Sequence, residues 1–250
     1  MRFRDVGYRC IVAVGTLLLR LLDVRRTVRG IENFPTQGGV VLAMSHFSYF
    51  DFILVEWAIW RSRRRYIRFM ATKNSFEHPV GGPLMRSMGH IPVDRSKGAT
   101  AYRYAYDTLA RGEIVGVFPE TRVSGSFTLL PFKKGAVRMA AISGAPLVPC
   151  VIWGSHRLKT RTHKTPLHKA RHLPVTILFG EPIQVARDAD LDAVTQHLRT
   201  VMTGLLAQAQ DDYPEQAEPG AWWQPAHRGG GAPTEQAAAE HDQRLGLSWH

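Results

Sequence analysis

A histidine and an aspartate come just after a short, strongly apolar run of five residues. His46 and Asp51 come just after the apolar residues 40–44, and four residues separate them. On one continuous helix their side chains would point about 140° apart, so they meet only if His46 ends a strand and Asp51 lies in the first turn of the next helix. The carboxylate would then hold one imidazole N–H, leaving the other nitrogen as a general base. A surface loop is the competing interpretation of this pair taken alone.

Three more segments with distinctive residues follow in order along the chain. Residues 89–95 (GHIPVDR) bring a short extended run to an Asp-Arg pair, and residues 148–154 are an apolar run suited to a pocket wall. Between them, residues 118–125 (FPETRVSG) end a predicted strand on hydroxyl and guanidinium donors suited to phosphate oxygens, with one carboxylate to orient them: Glu120, Thr121, Arg122 and Ser124.

These segments lie at the ends of strands that the apolar pattern predicts. The predicted strands are continuous apolar runs of the kind that is buried on both faces: residues 40–44, 67–70, 114–118, 147–152 and 175–179. Helical patterns alternate with them, at residues 52–60, 97–110, 134–143 and 191–208. The alternation predicts an α/β fold with a largely parallel central sheet flanked by helices, in which ligands bind at the carboxyl ends of the strands.

The composition is that of a globular chain with an anionic partner. The 250 residues are 44% hydrophobic and 21% charged, which excludes a disordered chain and a disulfide-stapled scaffold. The formal net charge is +11, and residues 121–180 hold ten Lys and Arg residues with no Asp or Glu. Such charge favours nucleic acid, a membrane surface or a phosphorylated substrate. Cys10 and Cys150 both lie in apolar runs, which indicates a reducing compartment, and no cysteine spacing fits a zinc site.

The sequence predicts three regions. Residues 1–29 contain an apolar run of ten residues with arginines on both sides, too short for the ~18 residues that span a bilayer. We interpret it as a membrane-interfacial helix, with an ordinary core helix as an equal alternative. Residues 30–210 form the main domain, and residues 211–250, rich in acid, Gly and Pro, form a mostly disordered tail. The basic residues 61–65 are interpreted as a contact to anionic lipid, the alternative being a solvated helix end.

Together the four segments resemble the glycerolipid acyltransferase family, and most closely its bacterial 1-acylglycerol-3-phosphate (lysophosphatidate) members. That family carries a His-x4-Asp block, a G-x-I-P-V-D-R block, an F-P-E-G-T-R-S block and an apolar V-P-V/I block in this order. The resemblance covers roughly residues 30–185. Ser45 replaces the family's usual Asn, and the third block lacks the Gly that follows Glu. Either Thr121 substitutes for that Gly or the Gly is deleted, so the resemblance leaves the role of Arg122 open.

The resemblance implies acyl transfer from acyl-CoA or an acyl-carrier protein to the free hydroxyl of 1-acylglycerol 3-phosphate, giving phosphatidate for phospholipid synthesis. It implies no cofactor and no metal. No recognised RNA- or DNA-binding motif surrounds the basic residues, so no nucleic acid partner is expected. His46 would be the base and Asp51 its orienting partner. The acceptor phosphate would be bound by Lys73, which precedes the second block, and by residues of the second and third blocks: Arg95, Glu120, Thr121, Arg122 and Ser124. The enzyme would be peripheral or monotopic on an anionic membrane, at its cytoplasmic face.

Two alternatives to this function stay open from the sequence. The acceptor could be another lysophospholipid or a glycolipid. The chain could also be a catalytically silent membrane-binding module of the same fold, although the intact His46 and Asp51 argue against that.

Overall fold

One seven-stranded sheet forms the centre of the molecule. The computed structural model describes residues 3–94, 98–166 and 169–246. The strands in chain order are β1 (Arg25–Arg29), β2 (Val40–Met44), β3 (Ile67–Thr72), β4 (Ile91–Val93), β5 (Ile114–Val117), β6 (Leu147–Trp153) and β7 (Pro174–Phe179). Their order across the sheet is β1-β7-β6-β2-β5-β3-β4, and every neighbouring pair is parallel except β6 and β7. The predicted α/β fold with a largely parallel sheet is confirmed.

Helices cover both faces of this sheet. Those in the described residues are α1 (Phe3–Leu21), α2 (Asp51–Arg63), α3 (Lys73–Glu77), α4 (Gly81–Ser87), α5 (Gly98–Ala110), α6 (Gly135–Ser143), α7 (Leu191–Asp211) and α8 (Glu235–Arg244). Along β2, Val41 and Ala43 pack in the core shared with α5, α6 and α7, while Leu42 and Met44 pack in the core shared with α2. Alternate side chains therefore enter two different cores, which is why the central strands are apolar at every position.

The parallel register brings three strand ends to one edge. Met44 at the end of β2 pairs with Cys150 of β6, and Ala43 pairs with Val117 at the end of β5. The chain segments after β2, β5 and β6 therefore leave the sheet side by side. The predicted functional segments after these strands meet at this edge, although more than a hundred residues separate the first from the last.

The expected boundary at residues 29 and 30 is wrong, because it cuts off an edge strand. β1 pairs in parallel with β7 over its whole length, so Arg25–Arg29 belong to the main sheet. The apolar pattern missed this strand because it consists mostly of charged residues, as edge strands commonly do. Helix α1 lies on the domain with Tyr8, Val12 and Leu19 buried.

The expectation of a mostly disordered tail is also wrong for the described residues after 211. Trp222 and Trp223 pack against the core that α7 covers, and Ala232 is buried in the same core. Helix α8 then lies against the loop after β5, where the buried carboxylate of Asp242 pairs with arginines of the domain. Composition averages the acid and glycine content over the segment, whereas docking depends on these few side chains.

Candidate active site

The loop between β2 and α2 wraps around the carboxylate of Asp51. Asp51 is the first residue of α2 and has no exposed surface. Its Oδ2 accepts the backbone N–H groups of Phe47 and Ser48, each at 2.8 Å. The same oxygen lies 3.1 Å from Nδ1 of His46. The first turn of the helix and the loop before it therefore share one buried acceptor, and the structure brings His46 and Asp51 into contact as their spacing predicts.

The contact with Asp51 determines which nitrogen of His46 is available for chemistry. A carboxylate only accepts hydrogen bonds, so Nδ1 carries the proton and Nε2 keeps its lone pair. The ring stacks on Phe118, with 3.9 Å between ring centroids, and 17% of the side chain is exposed. His46 thus presents one basic nitrogen from a ring that is fixed by a hydrogen bond and a stacking contact.

A serine just after the end of β6 donates to the second carboxylate oxygen of Asp51. Ser155 Oγ donates to Asp51 Oδ1 at 2.6 Å, and both side chains are fully buried. Ser155 begins a short 3₁₀ turn after Gly154, whose φ is +90°. A Cβ at Gly154 would lie 2.4 Å from the carbonyl oxygen of Pro174, so this sharp exit from β6 requires glycine. Sequence reasoning placed residues 148–154 in a pocket wall and stopped one residue short of Ser155.

Glu120 and Ser124 attach the loop after β5 to His46. Glu120 accepts the backbone N–H of His46 and that of Leu130, each at 2.8 Å, and Ser124 N–H donates to the carbonyl of His46 at 2.8 Å. Burial raises the pKa of Glu120 to about 8, although its backbone hydrogen bonds lower it in part. Both side chains are fully buried, and Ser124 Oγ donates to Thr128 O. They therefore do not lie open to a ligand, contrary to the expectation that they contact the phosphate directly.

The other two residues of this block lie closer to the surface. Thr121 is exposed and has φ +60°, the left-handed conformation that glycine adopts readily. This backbone favours Thr121 as a substitute for the family's Gly over a deletion. Arg122 then occupies the family's Thr position, and its Nε lies 3.1 Å from Oδ2 of Asp242 in α8. Arg161 contacts the other oxygen of the same carboxylate.

Two predicted phosphate ligands, Lys73 and Arg95, precede this block in the chain, and only Lys73 is among the described residues. Lys73 is the first residue of α3, with 59% of its side chain exposed and its Nζ 3.9 Å from a carboxylate oxygen of Asp94. It directly follows β3, whose last residue, Thr72, pairs with Val93 at the end of β4. Arg95 falls outside the described residues. Within the parts of the chain that the structure describes, no group of three or more His, Cys, Asp or Glu side chains could hold a metal ion.

Comparison with known proteins identifies the family. The family model for acyltransferases matches residues 25–153, just over half of the chain. A 1-acyl-sn-glycerol-3-phosphate acyltransferase of Bacillus subtilis is 34% identical over 162 residues, which are 64% of this chain and 74% of the relative. The chain belongs to the acyltransferase family. The matched residues include both His46 and Asp51.

Two other similarities agree with this family. A 1-acyl-sn-glycerol-3-phosphate acyltransferase of the plant Limnanthes alba is 26% identical over 75% of this chain and 64% of the plant protein. The crystal structure of the 1-acyl-sn-glycerophosphate acyltransferase PlsC of Thermotoga maritima superposes with a TM-score of 0.68 at 20% identity, covering 86% of this acyltransferase and 83% of that chain. The second similarity supports the fold.

Proposed function

We propose that this acyltransferase moves an acyl group from a thioester to the free hydroxyl of 1-acylglycerol 3-phosphate and so makes phosphatidate. The observation that carries the proposal is the buried Asp51 carboxylate on Nδ1 of His46, which leaves Nε2 of His46 as a base at the edge where three strands end. The named relatives from Bacillus subtilis and Limnanthes alba support this choice of acceptor.

The proposed reaction needs one proton to move twice. Nε2 of His46 takes the hydroxyl proton while the oxygen attacks the thioester carbonyl, and the resulting tetrahedral intermediate breaks its carbon–sulfur bond. The imidazolium then returns the proton to the leaving thiolate, so no net proton is gained or lost. A placed base of this kind contributes about 10² to 10⁴ in rate. Asp51 holds the imidazole in the required tautomer and stabilises the imidazolium, a function that aspartates perform in hydrolase triads.

The acceptor phosphate would be bound by cations beside this pair. Arg95 follows Asp94 in the sequence, and Lys73, whose side chain is exposed, has its Nζ 3.9 Å from Asp94. Residues 121–180, which include the loop after β5, hold ten Lys and Arg residues and no carboxylate. Binding of the phosphate fixes the distance from the hydroxyl to His46, so that binding energy is used for orientation. Thr121 and Arg122 are the first two residues of this range, and Arg122 forms an ion pair with Asp242.

Membrane contact is proposed through helix α1. Val14, Leu17 and Leu21 are 67%, 56% and 66% exposed, an apolar strip that a helix lying in a lipid interface would bury. Arg20 in its last turn is suited to lipid phosphates. Among the described helices, none is both long enough and apolar enough to cross a bilayer. The exposed apolar strip and Arg20 of α1 support the proposal of peripheral or monotopic attachment to an anionic membrane, at its cytoplasmic face.

A transfer assay with several acceptors and two donors tests the proposed substrate. The purified chain would be given lysophosphatidate, lysophosphatidylcholine or a monoacylated glycolipid, each with acyl-CoA and with acyl-acyl-carrier protein. We expect phosphatidate as the main product, with the highest kcat/KM for lysophosphatidate. Equal or better turnover of an acceptor without the phosphate monoester would contradict the proposal. Lack of transfer to any acceptor, with a folded protein, would contradict it as well.

A further inference from the structure

The two carboxylate oxygens of Asp51 accept hydrogen bonds from different parts of the chain. Oδ2 takes the contacts from the loop: the N–H groups of Phe47 and Ser48, and Nδ1 of His46. Oδ1 faces the other way and accepts the hydroxyl of Ser155 at 2.6 Å. Asp51 and Ser155 are both fully buried, so Oδ1 has no exposed surface through which bulk solvent could replace that hydroxyl.

The position of Ser155 is tied to the position of His46 through the sheet. Ser45, the residue before His46, donates its N–H to Cys150 O and accepts the N–H of Ile152 on its hydroxyl, each at 3.0 Å. These bonds hold the end of β2 against the end of β6. Gly154 then turns the chain, so that Ser155 reaches the carboxylate oxygen of Asp51 that His46 does not contact.

We propose that Ser155 is a positioning residue of the acyl transfer reaction, which orients the Asp51 carboxylate toward His46 and acts through Asp51. This inference rests on the roles proposed above for His46 and Asp51. A buried carboxylate with one oxygen unsatisfied would rotate or draw in other donors, because leaving an acceptor unpaired is costly. Rotation would move Oδ2 away from Nδ1 of His46. Ser155 prevents this by satisfying Oδ1, and it touches neither substrate nor reacting atoms.

Substitution of Ser155 separates this role from a purely structural one. Ser155→Ala removes the hydroxyl, and Ser155→Cys keeps the volume of the side chain with a weak donor. We expect both to lower kcat roughly ten- to a hundredfold, by analogy with the partners that orient metal-bound histidines, with the KM of both substrates within about twofold. Ser155→Thr retains the hydroxyl and should recover most of kcat. Ser143→Ala, which removes a serine hydrogen bond at the opposite edge of the sheet, should leave kcat unchanged.

A double variant tests whether Ser155 acts through Asp51. In the Asp51→Asn background, adding Ser155→Ala should lower kcat by less than about twofold, because the group that Ser155 orients has already lost its charge. The assay uses the donor and lysophosphatidate that give wild-type turnover, and circular dichroism verifies the fold of each variant.

Three results would overturn the inference. These are a kcat within twofold of wild type for folded Ser155→Ala, a normal kcat for Ser155→Cys, and the full Ser155→Ala loss repeated on top of Asp51→Asn. Full activity of Asp51→Asn alone would instead refute the proposed role of Asp51, so the two failures are distinguishable.

Discussion

Thr121 has a backbone conformation that β-branched residues rarely adopt. Its φ of +60° costs roughly 1–2 kcal/mol for a side chain with a Cβ. Thr121→Gly removes this cost but gives the unfolded chain more freedom, so we expect a net gain of about 0.5–1 kcal/mol in the free energy of unfolding. Urea denaturation measures it. Thr72→Gly, at an ordinary φ of −59°, is the matched control and should destabilise the protein. Equal effects of the two substitutions would contradict the assignment of strain to Thr121.

The site shows which functional residues a sequence reveals and which it conceals. The sequence reveals His46 and Asp51, because Asp51 lies five positions after His46 and a strand end followed by a helix start brings such a pair together. The sequence does not reveal Ser155, because its contact with Asp51 spans 104 positions and depends on the register of β2 and β6. The polar residues 118–125 predict Glu120 at the phosphate. They do not indicate that Glu120 is buried or that it accepts two backbone N–H groups.

At the scale of elements, helix α1 gives the clearest test of membrane contact. Leu17→Asp places a charge in the exposed apolar strip, where it would lose the burial of a leucine worth about 1.5–3 kcal/mol. We expect at least tenfold weaker binding to anionic liposomes in a flotation assay, with kcat in detergent micelles unchanged. Ile142→Asp on α6 is a matched control, since Ile142 is 49% exposed and Leu17 is 56% exposed. The same loss of binding in both variants would contradict a specific contact through α1.

The segment after α7 is expected to be necessary for stability. Deleting residues 213–250 removes Trp222 and Trp223, which pack on the core, and the Trp223 carbonyl that His156 contacts at 2.9 Å. We expect a loss of more than about 3 kcal/mol in the free energy of unfolding, comparable with truncating one buried tryptophan. Because His156 follows Ser155, kcat should also fall.

Deleting only residues 233–250, which removes α8 but keeps both tryptophans, is the graded control and should cost less stability. Calorimetry and transfer assays measure both deletions. An unchanged Tm for the longer deletion would restore the interpretation of a dispensable tail.

The sequence predicts most directly the strands that are covered by helices on both faces of the sheet. Largely apolar runs predicted β2, β3, β5, β6 and β7, because strands covered on both faces bury mostly apolar side chains. Arg68 of β3 and Thr176 of β7 are buried polar exceptions. The edge strand β1 and the docked helix α8 are polar over most of their length, so their place depends on partners elsewhere in the chain. Arg63 and Arg65, expected to contact lipid, instead donate to backbone carbonyls of residues 31–38 and of Gly112.

At the scale of the whole molecule, four buried groups should shape the dependence of stability on pH. Burial raises the pKa of Glu56 and Glu120 to about 8 and lowers that of His90 and His156 to about 3. From pH 8 down to 4.5 the folded chain holds glutamate protons that the unfolded chain has released, so stability rises as pH falls. From pH 6.5 down to 3 the unfolded chain holds the extra histidine protons, so stability falls.

These opposite contributions cancel between pH 4.5 and 6.5, which gives a measurable profile. We expect the contribution of the four groups to rise from pH 8 to 6.5, to stay level to pH 4.5 and to decline below that. His156→Gln removes one titrating group and keeps a donor for the Trp223 carbonyl. Its stability relative to wild type should rise by roughly 1 kcal/mol per pH unit on acidification below pH 6.5. Urea midpoints at several pH values test this, and parallel profiles for the two proteins would contradict it.

The turnover of His46→Ala tests the central claim most directly. The variant would be purified from a host whose own lysophosphatidate acyltransferase has been excluded, and its kcat would be measured beside wild type and Asp51→Asn. Removing the base should lower kcat by at least ~10², and Asp51→Asn should lower it strongly, because the tautomer is no longer fixed. Both variants should keep the wild-type circular dichroism spectrum. A folded His46→Ala protein with near-normal kcat would show that Nε2 of His46 is not the base for acyl transfer.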